Sequence, residues 1–141
     1  MLFESIVFGP IKSRRLGTSL GVNVLPTEKK YCSFNCIYCE CGWNEIDTTI
    51  NVPLHKREDI KAALKMKFES NSCEENAKID SITFSGNGEP TLHPEISGIV
   101  DDVIELRNQY CPQAKITILS NSTNLLREDV FSALQKIDNP I

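Results

Sequence analysis

The chain has 141 residues, of which 40% are hydrophobic and 24% charged, the composition of an ordinary soluble globular domain. It contains no apolar run near 18 residues and no basic segment before a long apolar stretch, so neither a transmembrane helix nor a secretory signal peptide is expected. The net charge of −4 argues against broad electrostatic binding of nucleic acid. We therefore expect a cytoplasmic protein whose basic residues at Lys12, Arg14, Arg15, Lys29 and Lys30 are solvated surface.

The first 31 residues predict an irregular segment followed by one strand. The run FGPIKSRRLGTS is rich in Gly, Pro and Ser, which favours a loop. In LGVNVLP, the alternation of Leu20, Val22 and Val24 favours a strand that is closed by Pro26. Residues 32–55 show little periodicity and hold most of the cysteines, which predicts a long loop with a functional role.

Helical and strand-like patterns alternate after this loop. The spacing of apolar residues predicts, in chain order, a helix over 57–69, a strand over 79–85, a helix from Pro94 to about residue 109, a strand over 115–120 and a helix over 127–137. A strand, a loop and a helix thus follow one another three times, which predicts parallel strands joined by right-handed helical crossovers. Both an open sheet and a barrel agree with this order, but 141 residues are too few to close an eight-fold barrel.

The cysteines are unevenly distributed. Four of the six fall within residues 32–41. In a reducing compartment, such crowding indicates metal or cluster binding rather than a disulfide framework. Cys73 and Cys111 stand alone, and each is expected to be a small, semi-buried side chain rather than a ligand.

The sequence CSFNCIYC over residues 32–39 has the spacing C-x3-C-x2-C. Three thiolates can bind a cubane 4Fe–4S cluster and leave one iron open to a small molecule, as an open zinc site binds water. Cys41 leaves an alternative open, in which four thiolates form a closed zinc or electron-transfer site. Since a single residue separates Cys39 from Cys41, the spacing favours a cluster bound by Cys32, Cys36 and Cys39.

Two motifs together resemble the radical S-adenosylmethionine (SAM) superfamily. The first is C-x3-C-x2-C with an aromatic residue, Tyr38, before the last cysteine. The second is Ser85-Gly86-Asn87-Gly88-Glu89-Pro90, which is similar to the Gly-Glu-Pro motif at the end of that superfamily's second strand. The segments FGPIKSRRLGTSLGVNVLP and CSFNCIYCECG further resemble a branch of iron–sulfur oxidoreductases that is grouped near the wyosine-type tRNA-modifying enzymes.

This resemblance implies an α/β fold made of the first three βα units of a partial (β/α)6 TIM-like barrel with a parallel sheet. Residues 1–141 would be a single domain, the N-terminal half of a radical SAM core. Within it, residues 1–31 form the N-terminal segment and first strand, residues 32–55 the cluster loop, and residues 57–141 the βα units. Because a typical core has six such units, we expect this chain, as a fragment, to be weakly active or inactive alone.

The resemblance also implies an enzyme that binds a 4Fe–4S cluster and SAM. It would cleave SAM reductively to a 5′-deoxyadenosyl radical that abstracts hydrogen from an unknown substrate, with a tRNA base as the first candidate. Its partner would be a flavodoxin- or ferredoxin-like electron donor. The implied cluster ligands are Cys32, Cys36 and Cys39, and the implied SAM contacts are Tyr38, Gly86, Gly88, Glu89 and Asn121. The alternative is a non-catalytic four-Cys zinc or iron–sulfur module.

Overall fold

The structure, a computed structural model, describes residues 1–45 and 52–141. Residues 46–51 of the predicted 32–55 loop lie outside the described residues. The strands are β1 (Val7–Ser13), β2 (Gly17–Val22), β3 (Ser81–Phe84), β4 (Lys115–Ile118) and β5 (Asn139–Pro140). The helices are α1 (Arg57–Ser70), α2 (Cys73–Ala77), α3 (Ile96–Tyr110) and α4 (Glu128–Gln135), and a 3₁₀ turn spans Pro90–Leu92.

The five strands form one mixed sheet in the order β1-β2-β3-β4-β5. β2 to β5 pair in parallel, whereas β1 pairs with β2 in the antiparallel direction. The strand order and the helices after β2, β3 and β4 confirm the predicted alternation of strands and helices. The fold is therefore α/β with a mostly parallel five-stranded sheet. None of the helices in the described ranges is both long and apolar enough to cross a membrane.

The hydrophobic core lies between one face of the sheet and the helices. The strand register aligns apolar side chains into rows, Leu20 beside Ile82 beside Ile116, and Val22 beside Phe84 beside Ile118. All six are at most 1% exposed and share one cluster with Ile60, Leu64 and Phe68 of α1 and with Ile99 and Val103 of α3. Each such buried side chain contributes about 1.5–3 kcal/mol relative to an exposed one, so this face fixes the register of the three central strands.

Small hydroxyl side chains occupy the other face of the sheet. Ser19 Oγ lies 2.7 Å from Thr83 Oγ1, and Ser81 Oγ lies 3.0 Å from Thr117 Oγ1. All four residues are buried, and mutual hydrogen bonding satisfies groups that would otherwise be costly to remove from water. The central strands are thus covered on both faces, as is usual for parallel strands.

The prediction that FGPIKSRRLGTS is an irregular segment was wrong, because Val7–Ser13 is an edge strand paired with β2. The pairing register shifts between Phe8 and Ile11, which accommodates the intervening Gly and Pro. Proline is tolerated on an edge strand, where its missing N–H faces no partner. Sequence reasoning also missed α2, although its capping box of Ser72 and Glu75 is a recognisable helix start.

Candidate functional site

Both sequence motifs lie at the carboxyl edge of the parallel strands and run side by side. Tyr31, which precedes the first cysteine, forms a parallel β-bridge with Gly88. The backbone N–H of Tyr31 donates to Asn87 O at 2.8 Å, and the N–H of Glu89 donates to Tyr31 O at 3.1 Å. At the other end of the cysteine loop, Cys41 Sγ lies 3.4 Å from Gly86 O. The loop after β3 therefore anchors both ends of the cysteine segment.

Glu89 is the buried acid of this edge, with 2% of its surface exposed. Its Oε1 accepts hydrogen bonds from the hydroxyls of Ser120 at 2.8 Å and Thr91 at 2.6 Å, and from the N–H of Thr91 at 3.2 Å. Its Oε2 accepts from the N–H of Asn121 at 2.6 Å. Because each oxygen of an ionised carboxylate has about two acceptor positions, Oε2, which receives a single donor here, keeps capacity for one more. Glu89 thus joins the segments after β3 and β4, and its contact with SAM stays a prediction.

Asn121 connects this acid to the first cysteine. Its side-chain amide donates to Ser33 Oγ at 2.9 Å and points toward Cys32 Sγ at 3.7 Å. Its Oδ1 accepts from the N–H of Thr123 at 3.0 Å, and the hydroxyls of Ser33 and Thr123 lie 2.8 Å apart. Three residues singled out in the sequence, Cys32, Glu89 and Asn121, are therefore brought together although they follow different strands.

The remaining cysteines lie on consecutive turns of the loop. The N–H of Cys39 donates to Cys36 O at 3.0 Å, and the N–H of Gly42 donates to Cys39 O at 3.2 Å. Tyr38 is 85% exposed, so its ring does not cover the hydrophobic core. A hydrogen bond with the Cys36 side chain raises the pKa of the Tyr38 phenol.

Cys39 and Cys41 differ in their electrostatic environment. Burial acts to raise the pKa of the Cys39 thiol, but hydrogen bonds from the Cys41 backbone and the Lys30 ammonium outweigh it, so this pKa is lowered. Burial, with the neighbouring Cys39, raises the pKa of the Cys41 thiol. Cys39 is therefore the more readily ionised of the two and the better thiolate ligand.

The three predicted cluster ligands have different neighbours. Cys32 faces Asn121, Cys36 lies beside Tyr38, and Cys39 lies beside Cys41. Within residues 1–45 and 52–141, no group of three or more His, Cys, Asp or Glu side chains is positioned to hold a metal ion.

The donor chemistry nevertheless fits a cluster, since Cys32, Cys36 and Cys39 are partly exposed, unpaired thiols on one loop that is anchored at both ends. Loading a cluster requires these three side chains to turn toward a common centre.

Gly86 and Gly88 are required by the protein's own packing. Their φ angles are +146° and +144°, values that residues with a Cβ rarely adopt. A Cβ on Gly88 would lie 1.8 Å from Tyr31 O, and one on Gly86 would lie 2.4 Å from Asn23 Oδ1. The buried Nδ2 of Asn23 has no hydrogen-bond partner among the described residues, which leaves a donor in the side chain that meets Gly86. Contact of the two glycines with SAM stays a prediction.

Two side chains at this edge escaped the sequence analysis. Asn87 is fully buried, and its amide group donates to Phe3 O at 2.8 Å and Pro26 O at 2.9 Å, which ties the N-terminal segment to the loop after β3.

The expectation of solvated basic residues holds for Lys29 but is wrong for Lys30, which is only 4% exposed. No local pattern in the sequence distinguishes Lys30 from Lys29, because Lys30 is buried by a contact with Gly42, twelve positions along the chain.

Comparisons with known proteins find relatives that are longer than this chain. It is similar to a UPF0026 protein of Methanocaldococcus jannaschii, with 39% identity over 139 residues that cover 95% of this chain and 38% of the relative. A UPF0026 protein of Helicobacter pylori is 36% identical over 135 residues, which cover 94% of this chain and 40% of the relative. A protein named GTPase Obg from Brachyspira hyodysenteriae is 34% identical over 128 residues, 91% of this chain and 17% of that protein.

The chain thus spans about two fifths of the UPF0026 relatives that it matches. No protein-family model and no solved structure matches it. None of the relatives' names refers to radical SAM chemistry, so this part of the sequence analysis stays a prediction.

Proposed function

We propose that this chain is the N-terminal half of a radical SAM enzyme, with Cys32, Cys36 and Cys39 as ligands of a 4Fe–4S cluster. One observation carries the proposal. Glu89, in the Gly-Glu-Pro-like motif, is hydrogen-bonded to Asn121, whose side chain in turn points toward Cys32. A buried acid and a cysteine loop joined at the carboxyl edge of parallel strands form the kind of site at which α/β folds bind cofactors.

The proposal also includes a more specific fold, a partial barrel, for the whole protein. The parallel strands β2 to β5 would be the first strands of a partial (β/α)6 barrel, in which the hydroxyl-bearing face of the sheet points inward. The burial of Ser81, Thr83 and Thr117 supports this arrangement, because an inward face of a barrel is filled by side chains. The greater length of the UPF0026 relatives supports a larger whole protein.

When bound, the cluster and SAM supply one-electron cleavage of the sulfonium C5′–S bond and abstraction of hydrogen from the substrate. The chain's own residues would bind the cluster and orient SAM. Cys32, Cys36 and Cys39 would hold three irons and leave the fourth open. Glu89 would accept the SAM ammonium group through Oε2, in a charge-assisted hydrogen bond. Asn121 would hold the Cys32 end of the loop against the segment after β4.

The implied partners belong to the proposal as well. A low-potential electron donor would reduce the cluster, and a tRNA base is the first candidate substrate. The net charge of −4 means that an RNA partner would need a local basic surface, because phosphate contacts are made by Lys and Arg.

A second candidate is a non-catalytic four-Cys module that binds zinc or a fully ligated cluster. The proximity of the Cys39 and Cys41 thiols favours it, because Cys41 lies within reach of the same ligand as Cys39. The two candidates differ in one respect that can be measured: only the radical SAM site leaves an iron open to SAM.

Anaerobic reconstitution with iron and sulfide, followed by EPR of the reduced protein with and without SAM, tests the proposal. We expect iron-loaded wild type whose spectrum shifts when SAM is added. The variant Cys36→Ser should lose the cluster, whereas Cys41→Ser and the distant Cys73→Ser should keep both the cluster and the shift. Bound zinc without iron, or equal loss in Cys41→Ser and Cys36→Ser, would instead establish the four-Cys module.

A further inference from the structure

Lys30 is a buried ammonium next to the cysteine loop. Only 4% of the residue is exposed, and its Nζ donates a hydrogen bond to Gly42 O at 2.8 Å. Lysine is almost never buried to this extent unless it is paired, because removing an ammonium group from water is costly without a compensating anion. The neighbouring Lys29 is exposed, so burial is specific to position 30.

The side chains within hydrogen-bonding reach of this ammonium include a thiol, whereas Glu28 and Glu45 line the same cavity as Lys30 without pairing with it. In the described part of the chain, no Asp or Glu forms an ion pair with Lys30. Its side chain lines that cavity with Cys41 and Gly42, and it lies within hydrogen-bonding reach of Cys39, whose carbonyl accepts from the N–H of the same Gly42. One carbonyl satisfies one of its three N–H donors, which leaves donors for an anionic sulfur site.

We propose that Lys30 is a positioning residue whose ammonium is the built-in counter-charge of the cysteine loop and of the anionic iron–sulfur centre that this loop holds. The inference rests on the proposed function, since it requires a cluster at Cys32, Cys36 and Cys39. A cluster gains one negative charge when it is reduced. A fixed positive charge beside it therefore stabilises the reduced form and raises the reduction potential. The bond to Gly42 O keeps the end of the loop in place.

The test compares Lys30→Met, Lys30→Arg and the matched control Lys29→Met in the full chain after anaerobic reconstitution. Two quantities are measured: iron bound per chain, and the reduction potential of the cluster from a redox titration followed by EPR. For Lys30→Met, we expect the reduced-to-oxidised ratio at a fixed potential to fall about tenfold, which corresponds to a 59 mV lower potential for a one-electron couple. The iron content and the reduction potential of Lys29→Met and Lys30→Arg should stay close to those of wild type.

The other outcomes of this experiment distinguish failure of the counter-charge role of Lys30 from failure of the proposed function. If all four proteins bind iron and Lys30→Met has the potential of Lys29→Met, the counter-charge role is refuted while the proposed function stands. If wild type binds no iron, the proposed function fails and this inference fails with it. If Lys30→Met binds no iron, iron loading of Lys30→Arg supports the role of charge, whereas loss of iron from both variants refutes it.

Discussion

The buried carboxylate of Glu89 accepts a 2.6 Å hydrogen bond from the backbone N–H of Asn121, so the ends of β3 and β4 are joined through one side chain. In Glu89→Gln, the new amide N–H₂ cannot accept from Asn121 N–H while Oε1 keeps its bonds to Ser120 and Thr91. We expect the free energy of unfolding to fall by about 1–3 kcal/mol, measured by urea denaturation. Glu95→Gln, at an exposed position on the same segment, is the control and should change little. Equal stability of the two variants would contradict the buried network.

Gly88 is expected to tolerate no side chain, because its Cβ would lie 1.8 Å from Tyr31 O at a φ of +144°. In Gly88→Ala the bridge between Tyr31 and the loop after β3 must open, and we expect a loss of more than about 2 kcal/mol of stability. Gly42→Ala is the matched control. Its φ of +80° is also positive, but a Cβ there meets nothing within 4 Å, so only backbone strain of about 1 kcal/mol is expected. Thermal unfolding of both variants measures the difference.

Asp102 links α3 to α1 through a two-bond ion pair with Arg57, with Nε to Oδ2 at 2.7 Å and Nη2 to Oδ1 at 3.0 Å. Asp102→Asn should lower stability by roughly 1–2 kcal/mol, a value that allows for the partly solvated guanidinium. The neighbouring Asp101, which pairs with Lys136 in a more exposed ion pair, gives the control Asp101→Asn, expected to change stability by less than about 1 kcal/mol. If urea denaturation showed similar losses of stability for Asp102→Asn and Asp101→Asn, burial would add nothing to the stabilisation by the Asp102–Arg57 pair.

The ion pair between Asp102 and Arg57 makes the free energy of unfolding depend on pH in the acid range. The hydrogen bond from Arg57 lowers the pKa of Asp102 below its ordinary value of 3.8. The stabilisation is therefore present above that value and is lost as pH falls through the lower pKa of the folded state. Between pH 5 and pH 3, wild type should lose more stability than Asp102→Asn does, and denaturation curves at the two pH values measure this. A loss just as large in the variant would assign the acid sensitivity to other groups.

His93 is buried before α3 with both ring nitrogens engaged. Its Nδ1 accepts from the N–H of Glu95 at 3.1 Å, so Nε2 carries the proton and donates to His55 O at 2.8 Å.

Burial lowers the pKa of His93 from its usual 6.5, which means that the unfolded chain takes up a proton more readily than the folded one. Stability should therefore fall as pH drops below about 6.5, and His93→Gln should show a weaker decrease between pH 7.5 and pH 5.5. An unchanged pH profile would contradict this.

The two isolated cysteines should differ in reactivity. Cys111 is fully buried, and burial raises the pKa of its thiol to about 11, whereas Cys73 begins α2 and is exposed. Since the thiolate is the nucleophile, iodoacetamide should modify Cys73 in the native protein and Cys111 only after denaturation. Peptide mass spectrometry measures both. The expectation that both side chains are semi-buried is thus wrong for each of them, in opposite directions.

The regular elements after the cysteine loop were predictable from residue periodicity alone. The helix that contains Ile60, Leu64 and Phe68 was placed to within one residue at its end, since a core-facing stripe repeats with the helical period. The edge strand β1 was missed because its Gly and Pro suggest a loop, and only pairing with β2 makes an edge strand of it.

By itself, the sequence determined the spacing of the cysteines, the Gly-Glu-Pro-like motif and the alternation of strands and helices after the cysteine loop, because each is a local pattern along the chain. Only the tertiary structure decided that Asn121 reaches Cys32 and that Lys30 is buried whereas Lys29 is exposed. The physical reason is that burial and contact depend on which segments fold over a residue. Cys32 and Asn121 are 89 positions apart and meet because the strands before them are parallel.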